Sequence, residues 1–470
     1  MRHGAPQHQD QLHPPPLSSY CALALGLFLV LTMLKWGTAV VLSGEDTSMR
    51  ALGFSSEAPA DFWQAIYDVW PLQWASWAVI PVAFLGIASI LSLKTTRLES
   101  GVPRSTESKA ARVLLKLALV LPAVWLGWNV IAAMGTVSSR LTSTVLFQFS
   151  VCAAMFYLGL RAIHFESNRR LLFICLALGL VAVMSKAISQ HFVEFEATRA
   201  MVRQMPDWQK LPPLFLKKLE SNRVFGTMGG YPNALAGLIL LLLPLTVTFL
   251  WRAGAQLSRI ARALLVALPS AMALGSLYWS GSKAGCLLAA AMGLTALALS
   301  PLSKRWKMLL GTVVLIAGLV VFGIKFSEKG VGSTVARMEY WKAAVRIAAQ
   351  HPFVGTGPGT YGVEFQKIKP IEAEMARVCH NDYLEQACDS GIPGFLIYAT
   401  MVGAALTAIF LGARRRANPL LWALWLGLAG VFIHSFTEFH LYIPALGWPA
   451  FLLLGIGLAE SRKTGATDTI

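Results

Sequence analysis

The segment His380-Asn-Asp-Tyr-Leu-Glu-Gln-Ala-Cys-Asp-Ser-Gly391-Ile-Pro-Gly394 opens on a histidine, the side chain that most readily takes up and releases a proton at neutral pH. Read alone, His380 serves equally well as a helix-start residue that packs, and the Asn381 and Asp382 that follow read as helix caps. Three cations elsewhere, Arg223, Lys283 and Arg337, could hold an anionic group such as a phosphate. Each also reads as an interfacial or boundary cation whose stem lies along apolar surface. His434 and Glu438 are four apart, the spacing of one helical face, where they would hydrogen-bond each other or line a groove.

Other constellations carry less chemistry. The turn-rich run Gly355-Thr-Gly-Pro-Gly359-Thr-Tyr-Gly362 offers backbone N–H groups to an anion, yet no strand and helix flank it as in nucleotide folds, and it reads as a connector. The close outer acid pairs, Glu45-Asp46 and Glu194-Phe-Glu196, lack convergent metal ligands, so no metal or other cofactor is expected. A magnesium ion held by one or two carboxylates and substrate phosphates stays open on these grounds. The six cysteines have no metal spacing, and Cys379 and Cys388 lie where a disulfide is chemically allowed.

The elements that must position these residues are membrane helices. Of 470 residues 55% are hydrophobic and 14% charged, with a mean hydropathy of +0.57. A bilayer core needs about 20 apolar residues per helical crossing, and about twelve such runs recur from Tyr20 to Ala459. They are continuous, not alternating, which excludes barrel strands. The expected fold is all-α membrane, a polytopic bundle with spans at about 20–42, 72–93, 112–134, 143–164, 171–189, 232–250, 260–279, 283–300, 308–326, 389–411, 420–434 and 442–459.

The net charge of +16 does not point to nucleic acid, because it gathers at helix ends, in alternate connections such as Lys94 to Arg112, Arg161 to Arg170, Arg252 to Arg262 and Arg414 to Arg416. The positive-inside rule puts these and both termini in the cytoplasm. The first outer connection agrees, carrying Glu45, Asp46, Glu57, Asp61 and Asp68 against Arg50. Residues 1–19 read as a disordered cytoplasmic tail and 20–189 as N-terminal spans. A first long periplasmic loop covers 190–231, central spans 232–326, a second loop 327–389, and the C-terminal spans and tail 390–470. The first loop is basic through Arg199, Arg203, Lys210, Lys217 and Lys218. The second contains a helical pattern, Arg337, Met338, Trp341, Ala344, Val345 and Ala348, that reads as an amphipathic interfacial helix ending at His351-Pro352. Lys35 falls inside the first span, where it snorkels or faces the bundle.

The His380 segment, with Tyr-Leu after the histidine and Gly391 eleven positions on, resembles the O-antigen ligase and O-antigen polymerase superfamily. Arg337 with Trp341, His351-Pro352 and the Gly355 to Tyr361 run resemble that family's approach to its histidine. Gly226-Thr and Pro232-Asn233 after Arg223 resemble its earlier loop, Ser280-Gly-Ser-Lys283-Ala-Gly285 its Ser-Arg-Gly element, and His434-Ser-Phe-Thr-Glu438 its late helix. The likeness runs from about Arg223 to the C-terminus. Lys283 stands where the family has arginine, which keeps the charge and loses the planar fork.

The resemblance implies a GT-C-like membrane glycosyltransferase of the bacterial inner membrane. Its donor would be an undecaprenyl-pyrophosphate-linked glycan, its acceptor the lipid A core or another glycan, and its active site periplasmic. It implies His380 as the group that orients or deprotonates the acceptor hydroxyl, and Arg223, Arg337 and Lys283 as the cations on the departing pyrophosphate. These three, with Tyr383 and Glu438, would bind substrate among membrane lipids. A polymerase or a protein O-oligosaccharyltransferase shares this donor chemistry. A lipid-linked oligosaccharide transporter would instead show repeated halves and mid-membrane ionisable groups, which this sequence lacks.

Overall fold

The computed structural model describes residues 16–42, 69–93, 109–211, 219–329, 332–371 and 373–463, together with 59, 61–62, 65 and 215–216. The expectations for residues 1–15, for Glu45, Asp46, Arg50, Glu57 and Asp68, for the basic connection 94–108 and for Lys217 and Lys218 lie outside the described residues. Within them the secondary structure is helical: α1 (Pro16–Lys35), α2 (Leu72–Leu93), α3 (Lys109–Ala133), α4 (Ser139–Arg161), α5 (Glu166–Ser189), α6 (Phe195–Arg203), α7 (Pro232–Ala253), α8 (Arg259–Ser280), α9 (Lys283–Leu299), α10 (Lys304–Lys329), α11 (Gly332–Gln350), α12 (Tyr361–Ile368), α13 (Asp382–Arg416), α14 (Pro419–His434) and α15 (Pro444–Arg462).

A helix stands at each of the twelve places where the sequence predicts a span, and among the described residues nine helices are long and apolar enough to cross a membrane. The protein is a multi-pass membrane protein. Helix starts follow local chemistry. Proline occupies the first position of α7, α14 and α15, where its missing N–H costs nothing, and Ser258, Ser282, Asn381 and Asn418 cap α8, α9, α13 and α14 through their side chains.

The core is built on α15, which is buried almost throughout and packs mainly on α4, while α13 packs on α3, α1 on α5 and α7 on α14. Small residues set the closeness of the α4–α15 pair. A Cβ on Gly159 would stand 2.2 Å from the Leu452 carbonyl oxygen, and one on Gly455 2.1 Å from that of Phe156. The two backbones therefore touch, as helices in lipid do when side-chain bulk is absent. By contrast, α9 and α10 form a peripheral pair, with α10 packed on α9.

Three boundaries differ from expectation. The first span ends at Lys35, not near residue 42. Lys35 is thus not within a span but closes α1, buried, with its ammonium 5.5 Å from the Trp70 ring centroid. Helix α5 does not stop at Ser189 but runs through a π-helical turn, Gln190–Glu194, into α6. Helix α13 begins at Asp382 and bends at Gly391, so its first turns belong to the site and the remainder to the bundle.

Candidate active site

His380 is the residue before the cap of α13, and its backbone takes the left-handed conformation, φ +55°. Asn381 then caps the helix, its side-chain oxygen accepting from the Tyr383 and Leu384 N–H groups at 3.0 and 3.1 Å. Asp382 has a different task from the capping its position suggests. Its carboxylate accepts from the Leu441 N–H at 3.1 Å, and its own N–H donates to the Ser435 carbonyl at 2.9 Å, tying the α13 start to the α14–α15 connection. The left-handed step thereby turns the His380 imidazole between Tyr340, stacked at 5.9 Å, and the edge of Phe439 at 4.9 Å.

Behind the imidazole lies Glu438, buried at 3% exposure. Its Oε2 is 3.6 Å from His380 Nδ1; its Oε1 accepts from Asn233 Nδ2 at 2.6 Å and pairs with the Arg337 guanidinium. Asn233 passes the network on, because its Oδ1 accepts from Arg223 Nη2 at 2.8 Å while Arg223 Nε donates to the Ser280 carbonyl at 2.7 Å. Burial alone would raise the Glu438 carboxyl; Arg337, His380 and His434 outweigh it and hold it down at about 2. Burial lowers the Arg223 guanidinium, with Glu438 acting against that and Arg337 with it.

Arg223, Arg337, His380 and Glu438, which come from four separate stretches, thus form one connected cluster. Lys283 is near it in sequence: it is the first residue of α9, half-buried, three positions past the Ser280 carbonyl that holds Arg223. Tyr383 turns into the bundle, its ring stacked on Phe436 at 4.2 Å and its hydroxyl donating to the Phe432 carbonyl at 3.1 Å. Glu438 does not share a helical face with His434, because α14 ends at His434; that imidazole pairs instead with His440, Nδ1 to Nε2 at 2.9 Å.

Sequence reasoning assigned no role to Asn233 or Gln190. Asn233 follows the helix-starting Pro232, a position that reads as simple helix initiation. Gln190 sits in the π-helical turn, buried, and its amide accepts from the Phe225 and Gly226 N–H groups at 3.0 and 2.8 Å and donates to the Gly226 carbonyl at 2.8 Å. It clamps the loop that carries Arg223, and a π-turn is a common device where a helix must present one side chain out of register.

The second long connection folds against the same helix start. One face of α11 (Tyr340, Ala344 and Ile347) packs with Tyr361, Phe365, Cys379 and Cys388, while Met338 and Val345, on the apolar stripe of the expected interfacial helix, are exposed. Both cysteines are free and buried, as are the other four. The glycine-rich loop is already occupied by a side chain of the protein: the Gly359 and Thr360 N–H groups donate to the Asp389 carboxyl oxygens at 2.7 and 3.3 Å. Among the described residues, no three His, Cys, Asp or Glu side chains converge as a metal-ligand set.

Residues 268–399 match the family model described as O-antigen ligase (Wzy_C). That segment resembles an O-antigen ligase domain. The matched stretch includes Lys283, Arg337, His380 and Tyr383, whereas Arg223, Asn233 and Glu438 lie outside it and reach the cluster only through the fold. No curated protein matches the chain.

Proposed function

We propose that this O-antigen ligase-type chain is a glycosyltransferase that moves a glycan from undecaprenyl pyrophosphate to an acceptor hydroxyl, with the lipid A core as the favoured acceptor. The reaction runs at the periplasmic face of the inner membrane, needs no metal, and inverts the anomeric carbon. The observation that carries this reading is the convergence of His380, Arg337 and Arg223 around one buried carboxylate inside a multi-pass bundle.

In the proposed step the acceptor oxygen forms a bond to the anomeric carbon while the bond from that carbon to the pyrophosphate oxygen breaks. The acceptor proton passes to His380 Nε2, and undecaprenyl pyrophosphate departs with the electron pair. Glu438 faces Nδ1 at 3.6 Å, so it favours the tautomer with the proton on Nδ1 and leaves Nε2 free to accept. Arg223 and Arg337 are fixed in advance by Ser280, Asn233 and Glu438, so their charge meets the leaving pyrophosphate with little reorganisation. The donor is already activated, and no nucleotide is consumed.

The test supplies purified protein with an undecaprenyl-pyrophosphate glycan and, separately, lipid A core or a second lipid-linked glycan. Transfer to the core is expected without nucleotide and in the presence of a chelator. A folded His380→Ala variant is expected to lose at least about 100-fold, the low end of what a general base supplies. Chain growth on the carrier in place of transfer to the core would make the protein a polymerase. Full activity of His380→Ala would end the role given to the imidazole, and retention at the anomeric carbon would end the single-displacement step.

A further inference from the structure

The end of the bundle away from His380 carries a second polar assembly that glycan transfer does not use. Helix α13 runs from the site at Asp382 to Arg416, and α15 from Pro444 to Arg462, so their C-terminal ends meet far from the histidine, where α3 begins. A small cleft of about 30 Å³, open to one side, lies between these three helices, lined by Leu114, Leu115, Ala408, Leu411, Arg415, Ser461 and Arg462. One wall is aliphatic and the other holds two guanidinium groups. Arg415 reaches across to α15, its Nη2 donating to the Ser461 carbonyl at 3.4 Å, while Arg462 is exposed.

The charge around this cleft is one-sided. Over residues 161–170, 414–416 and 460–463, eight arginines and lysines meet two glutamates, a surplus of six (8 − 2). Glu460 takes Lys463 at 2.6 Å, Arg169 at 2.9 Å and Arg416 at 3.9 Å, three cations on one carboxylate. Arg112 and Lys116 add charge at the start of α3. A ligand complementary to the cleft is therefore anionic at one end and aliphatic at the other.

We propose that the cleft between α3, α13 and α15 binds an anionic diacyl phospholipid of the phosphatidylglycerol class, its phosphate between Arg415 and Arg462 and one acyl chain along Leu114, Leu115 and Leu411. Each basic residue near a membrane surface strengthens attraction to anionic lipid, and basic pockets between spanning helices bind such headgroups. The lipid seals the junction of three helices that otherwise carries concentrated like charge. This site is independent of the proposed transferase chemistry and stands whether or not His380 acts as a base.

The experiment uses the full chain purified in dodecyl maltoside, with lipid retention read by native mass spectrometry and thermal unfolding recorded beside it. Phosphatidylglycerol is expected to be retained about tenfold or more over phosphatidylcholine and to raise the midpoint of unfolding. The double variant Arg415→Gln, Arg462→Gln should lose that preference, and Lys304→Gln with Arg305→Gln, an equal charge change elsewhere, should keep it. Equal retention of the two lipids would overturn the proposal. So would the same loss in the control variant, which would mean diffuse attraction, or full stabilisation by inorganic phosphate alone, which would mean an anion site without a lipid.

Discussion

Glu438 and Glu460 are both buried carboxylates ringed by cations, at opposite ends of the bundle, yet their partners differ in one respect. Around Glu460 the Arg169 and Arg416 side chains are 7% and 11% exposed, and Lys463, at 35%, stands on the rim, so two of the three cations are closed in. Around Glu438 the Arg337 and His380 side chains are 21% and 27% exposed, each with one edge on the carboxylate and another facing outward. The same device, a carboxylate that collects cations in a low dielectric, serves as a fastening in one place and, on the proposed function, as a mount for the reacting groups in the other.

The contrast is broken most directly at Glu438. Glu438→Gln keeps the shape and the Asn233 contact but removes the charge that holds Arg337 and orients His380. Turnover is expected to fall about 100-fold, with a smaller rise in donor KM, as steady-state transfer kinetics would register. If turnover is unchanged, the site does not depend on this carboxylate. Glu460→Gln should do the reverse: about 2 kcal/mol lost in equilibrium or thermal unfolding in detergent, since three cations are left against one another, with kcat of the folded fraction unaltered.

Arg223→Lys and Arg337→Lys sharpen the comparison at the next level. Each keeps the charge and loses the fork that engages two groups at once, so donor KM should rise about tenfold while acceptor KM holds. A rise in acceptor KM instead would assign these cations to the other substrate. The smallest effect is in acid. The Glu438 carboxyl is held at about 2, below its ordinary 4.5, so its contribution to stability is fully present above 4.5 and is lost as pH falls through 2. Acid unfolding of the wild type should therefore contain a component between those values that Glu438→Gln lacks.

Much of this architecture is legible in the sequence because lipid imposes one rule, about twenty apolar residues per crossing, and every predicted run carries a helix. Boundaries moved where polar chemistry intervenes. Asn381 captures two amides and starts α13 seven residues before the apolar run. At the site, His380, Arg223 and Arg337 could be picked out by residue type, but the residues that connect them could not. Asn233 links to Glu438 across 205 positions, and the acceptor for Arg223 Nε is a carbonyl, a group every residue possesses. The pairing of His434 with Glu438 failed because a spacing of four implies one face only while the helix lasts, and α14 stops at His434.

The bend at Gly391 has a wider consequence. His380 and Gly391 are both left-handed, at φ +55° and +71°, and they bracket a single short helix. A Cβ at Gly391 would lie 2.2 Å from the Phe353 carbonyl oxygen, so that end is anchored against the preceding loop as firmly as the other is anchored by Asn381. The interval between them works as a ruler. Adding or removing one residue would rotate the imidazole by about 100° and shift it about 1.5 Å relative to Arg337, enough to take it off the carboxylate. Among chains built on this plan, the distance from histidine to glycine should tolerate substitution of what lies between but not a change of its length.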